Sequence, residues 1–189
     1  MKPQNYKFGK IQKGEEKIVE PFFYPDIWNL EKTSGPERLI IAPAAGQIDL
    51  IIELSRILPE PFGILYVLVV PRGGNEAGRY QSAQPAGRAV MEGFLMNFRD
   101  FFENDARHHI WVASLSGKAT LVYDNHNVIY GYGELEKFKE ILTAKGLTQS
   151  EVRFPEPHVH NYNPKFDEEE SRILSCAPWK KFPLAESDH

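Results

Sequence analysis

The run Phe62-Gly-Ile-Leu-Tyr-Val-Leu-Val-Val70 and the loop it empties into, Pro71-Arg-Gly-Gly-Asn-Glu-Ala-Gly-Arg-Tyr-Gln81, constrain this chain more than any other stretch. Continuous Ile, Leu, Tyr and Val without period-2 alternation fit a strand buried on both faces. The three glycines that follow let the backbone adopt conformations closed to other residues. The contrast predicts a water-free core strand delivering a polar lip.

Around it the pattern predicts an α+β fold. Arg38 to Ala42 reads as a strand and about Gln47 to Leu58 as a helix, on which Asp49, Glu53 and Arg56 form a narrow polar stripe. The strand of Phe62 to Val70 follows, then a helix from Pro85 to Phe102 carrying Ala89, Val90, Phe94, Leu95, Phe98, Phe101 and Phe102. Gly93 inside that helix costs about 1 kcal/mol relative to alanine unless close packing explains it. A three-strand meander covers Ile110 to Leu115, Ala119 to Asp124 and Val128 to Tyr132, with turn residues at Ser116-Gly117 and Asn125-His-Asn127. A helix over Glu134 to Lys145, an edge strand over Glu151 to Phe154, an extended proline-punctuated segment and a helix opened by Pro164 complete the order. The expectation is a single-domain, five-stranded mixed or mainly antiparallel sheet covered by about four helices, in the order β-α-β-α-β-β-β-α-(β)-α. Residues 1–37 read as an irregular arm packed on a domain spanning 38–184, and 185–189 as a frayed tail. In the arm Phe22, Phe23, Tyr24, Ile27 and Trp28 either cover apolar surface or form a patch for a partner.

A chain of 189 residues can bury roughly 70% of the surface its unfolded form exposes, so no disulfide or metal is required for folding. The 22 basic and 26 acidic residues are interspersed and sum to a net charge of −4, which gives no global field for nucleic acid. No apolar run reaches membrane-spanning length and no secretory leader is visible, so the expected location is the cytoplasm, away from membranes. A lone cysteine, Cys176, at a helix C-terminus is a poor nucleophile.

No familiar catalytic motif survives inspection. Ser116-Gly-Lys118 lacks the rest of a phosphate loop, and Ala113-Ser-Leu-Ser-Gly117 fails as a nucleophile elbow because no glycine stands two residues before Ser116. The candidate ligand site is the glycine loop. Arg72 and Arg79 could hold a carboxylate or phosphate while Asn75, Tyr80 and Gln81 supply neutral hydrogen bonds. If the first two strands run parallel, this loop and Pro43-Ala-Ala-Gly46 share one sheet edge. Histidine is the other resource: His108, His126, His158 and His160 are candidates for a general base or polar cluster. His158 and His160 alternate in an extended segment and can share one side of the backbone. A third metal ligand would have to come from His108, His109, Asp124 or His126, and the expectation is structural histidines, no metal and no cofactor. These features predict a non-catalytic binding protein, possibly inhibitor-like, whose partner is another protein or a small anionic ligand. The alternative is a small hydrolase or transferase in which a histidine base acts on an arginine-held anion.

Overall fold

In a computed structural model describing residues 6–12 and 18–188, the Phe62 strand forms part of a much wider sheet than its neighbours in sequence foretell. In chain order the strands are β1 (Phe8–Gln12), β2 (Ile18–Pro21), β3 (Ile27–Glu31), β4 (Arg38–Ala42), β5 (Phe62–Leu68), β6 (Gly78–Ser82), β7 (His108–Ser114), β8 (Ala119–Tyr123), β9 (Ile129–Tyr132), β10 (Thr148–Gln149), β11 (His158–His160) and β12 (Trp179–Phe182). The helices are α1 (Gln47–Ser55), α2 (Arg88–Asn97), α3 (Arg99–Asn104), α4 (Leu135–Ala144) and α5 (Asp167–Cys176). Nine strands form one mixed sheet ordered β10-β3-β4-β9-β8-β7-β5-β6-β12, and three form a second, β11-β1-β2. The expected five-stranded sheet with about four helices is therefore wrong: the described residues hold 12 strands in two sheets and 5 helices.

The missed strands share a cause. β6 and β12 carry Arg79, Gln81, Lys180 and Lys181 and lie at one margin of the sheet, where a strand needs only one apolar face and lysines discourage further pairing. Within the expected arm, β3 lies beside β4, with Trp28 opposite Ile41, and β1 pairs with both β2 and β11. Tyr24, Ile27 and Trp28 are buried, whereas Phe23 is exposed. Residues 1–5 and 13–17 of the expected arm, and His189 of the expected tail, lie outside the described residues. Glu186–Asp188 form a 3-10 turn with Asp188 buried, so this part of the tail is packed. The edge pairing expected at Glu151 to Phe154 falls instead on Thr148 and Gln149, parallel to Ile27 and Trp28.

β5 pairs with β7 over its whole length, Phe62 opposite Ser114 through Leu68 opposite His108, and with β6 on its other side. Tyr66, Val67 and Leu68 are fully buried, as the unbroken apolar run requires. β4 and β5 point the same way but are separated by β9, β8 and β7, so they make no parallel pair. The large core unites Leu39, Ile41, Ile64, Tyr66, Ile110, Val112, Leu121 and Tyr123 with the apolar sides of all five helices, which puts the helices on one face. A second cluster of Phe8, Tyr24, Ile27, Ile40, Ala42 and Val128 joins the small sheet to the opposite face. The expected long second helix breaks at Phe98, which leaves helical geometry at φ −108° and ψ 12°. No helix among the described residues is long and apolar enough to cross a membrane.

Candidate ligand cleft and histidine cluster

The small sheet covers only part of the face opposite the helices, and the register leaves one row of side chains beside it. Gln81, Leu65, Trp111, Val122, Tyr130 and Ile40 are successive cross-strand partners from β6 to β4. Two ladder steps set the Trp111 and Tyr130 backbones about 10 Å apart with Val122 between them. A flat ring in contact on both faces needs about 7 Å, so the pair can act as walls and Val122 as floor. The resulting cleft has a volume of about 380 Å³, within the range of small-molecule sites.

One end of the cleft carries Arg38, whose guanidinium carbon sits 4.1 Å from the Tyr130 ring centroid. It donates to the Tyr132 hydroxyl at 2.9 Å and to Glu31 Oε2 at 2.5 Å, so its charge is neutralised locally. The other end is the turn between β8 and β9. Asp124 Oδ1 accepts the amides of His126 (2.9 Å) and Val128 (3.2 Å), while Oδ2 stands 3.0 Å from His126 Nδ1. Such an aspartate-nucleated turn tolerates the left-handed Asn127, at φ 69°. Burial works to raise the Asp124 carboxyl, but the hydrogen bond and charge of His126, with His109 and Lys7, outweigh it, and the net shift is downward. An ionised Asp124 can only accept, so the neutral His126 ring takes the tautomer with its proton on Nδ1, which leaves Nε2 open. Phe154, Ser187 and the buried Asp188 also line the cleft.

Three residues that line this cleft each carry a buried polar atom without a partner: Trp111 at Nε1, His109 at Nε2 and Asn125 at Oδ1. Burial also lowers the His109 pKa, more than Asp124 and Asp188 raise it. Buried donors and acceptors normally find partners, and one left alone costs about 1–3 kcal/mol. Behind Trp111, Arg79 lies with its guanidinium carbon 5.4 Å from the indole and its Nε 3.7 Å from Asp188, an ion pair too long to be a hydrogen bond.

The histidines assemble along one side. His158 and His160, two apart on β11, project together, and β1 sets Phe8 opposite His160. Their ring centroids are 5.4 Å apart, and His126 comes within 5.4 and 4.7 Å of them. One ring nitrogen from each of the three lies within 4.8 Å of the others. His108 does not join them. Fully buried on the helix side, it packs against Phe101 at 4.4 Å, Phe102 at 5.2 Å and Tyr66 at 5.6 Å.

The glycine loop is divided. Arg72 donates from its Nε to Asp167 at 3.0 Å, and Asn75 donates to Glu170 at 3.0 Å, both on α5. Those carboxylates also receive the fully buried Arg107, which is forked onto Asp105. The Tyr80 hydroxyl donates to the Glu76 carbonyl at 2.6 Å and its ring meets Tyr66. Arg79 and Gln81 lie in β6 on the cleft face, and Gln81 is exposed. The five residues therefore do not converge on one ligand. A larger cavity of about 480 Å³ lies between α2 and the start of β12, lined by Val90, Phe94, Phe98, Pro178 and Trp179. Its walls are mostly apolar, with Ser82, Gln84, Asn97 and Cys176 among them, whereas charged groups and histidines gather at the cleft.

Trp111, Val122, Tyr130 and Arg38 escape sequence reasoning, although their parity was readable within each strand. The alternation of the meander puts each on a face opposite the core residues, but only the strand order brings them into one row. Comparison with protein-family models, with curated proteins and with solved structures returned no match.

Proposed function

We propose that this is a non-catalytic binding protein whose ligand is a small, uncharged polar molecule with a planar ring, held between Trp111 and Tyr130 over Val122. The observation that carries this reading is the gathering of three residues with unpartnered atoms, Trp111 Nε1, His109 Nε2 and Asn125 Oδ1, on one aromatic-walled cleft. A ring with hydrogen-bonding edges would suit the walls, and side-chain rotation on binding would bring these buried atoms to its edge. An uncharged ligand fits because the arginines nearby are already matched: Arg38 by Glu31 and Arg79 by Asp188. The enzyme alternative has a base, since Asp124 orients His126, but both of its anion holders already face a carboxylate, Arg72 at Asp167 and Arg79 at Asp188.

Trp28→Phe and Trp179→Phe together leave Trp111 as the sole indole. Titration of this variant with purines, pyrimidines, indoles and nicotinamides should reveal saturable quenching by at least one class, and Val122→Phe should abolish it. Absence of saturable binding, or binding indifferent to Val122→Phe, refutes the reading.

A further inference from the structure

The three clustered histidines come from two separate parts of the fold, the β8–β9 turn and the small sheet. Their free nitrogens are defined by their neighbours. His126 Nδ1 is engaged by the Asp124 carboxylate, and His158 Nδ1 lies 3.0 Å from the Pro155 carbonyl, which can only accept. In the neutral form of each ring the proton therefore sits on Nδ1 and Nε2 is the atom open to a metal. His160 Nε2 is buried and has no partner. A carboxylate or carbonyl on the far nitrogen of a histidine is the arrangement that fixes a metal ligand's tautomer and raises its basicity. Beneath the cluster the Phe8 ring stands 5.5 Å from His126, 5.1 Å from His158 and 5.7 Å from His160, an apolar base under all three.

From this arrangement we infer that His126, His158 and His160 form a binding site for a divalent transition-metal ion of the zinc class. Three imidazoles suit zinc, cobalt, nickel and copper and disfavour calcium and magnesium, which take oxygen ligands. Nitrogens on a tetrahedral ion with bonds of about 2.1 Å stand about 3.4 Å apart, so nitrogens now within 4.8 Å of one another need only small side-chain rotations to close. The ion would join the small sheet to the main-sheet turn, and three protein ligands leave its fourth position for water or a ligand atom. This site borders the cleft through His126 but does not depend on ring recognition, because it uses no atom of Trp111, Tyr130 or Val122.

The test uses the untagged full-length chain, stripped with chelator and titrated with Zn²⁺ and Co²⁺ against a competing indicator. The expected result is one ion per chain, with the intense visible bands of tetrahedral Co²⁺ and zinc-dependent shifts of three histidine side-chain nitrogen signals by NMR. His158→Gln, which alters a partly exposed residue, should abolish stoichiometric binding. Asp124→Asn should weaken it about 10–100-fold, and Trp111→Phe should leave it unchanged. Failure to bind one equivalent of either ion, shifts in other histidines, or affinity unaffected by His158→Gln would each overturn the assignment. The NMR readout on the unmutated protein keeps the test decisive if a variant misfolds.

Discussion

Replacing Arg107 with methionine tests how α5 and the glycine loop are held. The guanidinium is 0% exposed, as are the Asp105 and Glu170 side chains it pairs with. Nε and one terminal nitrogen fork onto Asp105 at 2.8 and 3.0 Å, the other reaches Glu170 at 3.0 Å, and Asp167 accepts at 2.9 Å. Methionine fills much of the volume but strands two buried carboxylates, a loss of about 3–5 kcal/mol. At about 2–4 °C per kcal/mol for a chain of this length, the melting temperature should fall by roughly 6–20 °C. Urea unfolding followed by tryptophan fluorescence measures it. Adding Glu170→Gln to Arg107→Met should regain part of the loss, because one stranded charge is gone. A cost under about 1 kcal/mol would refute the reasoning, since a buried partner lost from such a network is expected to cost several times more.

Other perturbations probe separate parts of the account. His108 is held neutral, its pKa driven well below 6.5 by burial and then by Lys7, His109 and Arg107. The unfolded chain takes up a proton near pH 6.5 that the folded chain refuses, so this contribution to stability is complete above that pH. Below it, about 1.4 kcal/mol is lost per pH unit down to the folded pKa. His108→Phe should flatten the acid limb of a plot of stability against pH, and an unchanged slope would contradict the assignment. A methyl group added at Gly93 meets nothing within 4 Å, so Gly93→Ala should stabilise α2 by about 0.5–1 kcal/mol in urea titrations. At Gly133, with φ +97°, a Cβ would stand 2.8 Å from Ala119; Gly133→Ala should destabilise by about 1–3 kcal/mol in the same assay. Zinc at about 100 times its dissociation constant should add about 2.7 kcal/mol to stability, read as a rise in melting temperature that His158→Gln removes.

Much of the central sheet was legible because its strands announce themselves locally. β5 is apolar without interruption, and the β7–β8–β9 meander is punctuated by Ser116-Gly117 and Asn125-His-Asn127. Peripheral strands carry no such signal. Lys180 and Lys181 in β12 carry no apolar alternation, and only pairing with Gln81 and Tyr80 makes them a strand. The surroundings of the arginine loop were hidden for a related reason: Arg72 is bound by Asp167 and Glu170 of α5, partners about a hundred residues away that local composition cannot reveal. The pairing of His158 with His160 was readable from strand parity, whereas the arrival of His126 depends on where the small sheet docks. Lys7 makes the same point. It sits buried over the Tyr123 ring at 3.7 Å and donates to the Phe102 carbonyl, and burial, only partly opposed by Asp124, Asp105 and Glu103, brings its amine down to about 7.

The most direct test of ring recognition is a crystal structure of the protein soaked with the compound that quenches Trp111 most strongly. Density for a flat ring over Val122, flanked by Trp111 and Tyr130 with a polar edge at Asn125 and His109, is the predicted result. A compound seated instead in the apolar cavity beside Phe94 and Trp179, with the cleft unchanged, would contradict it.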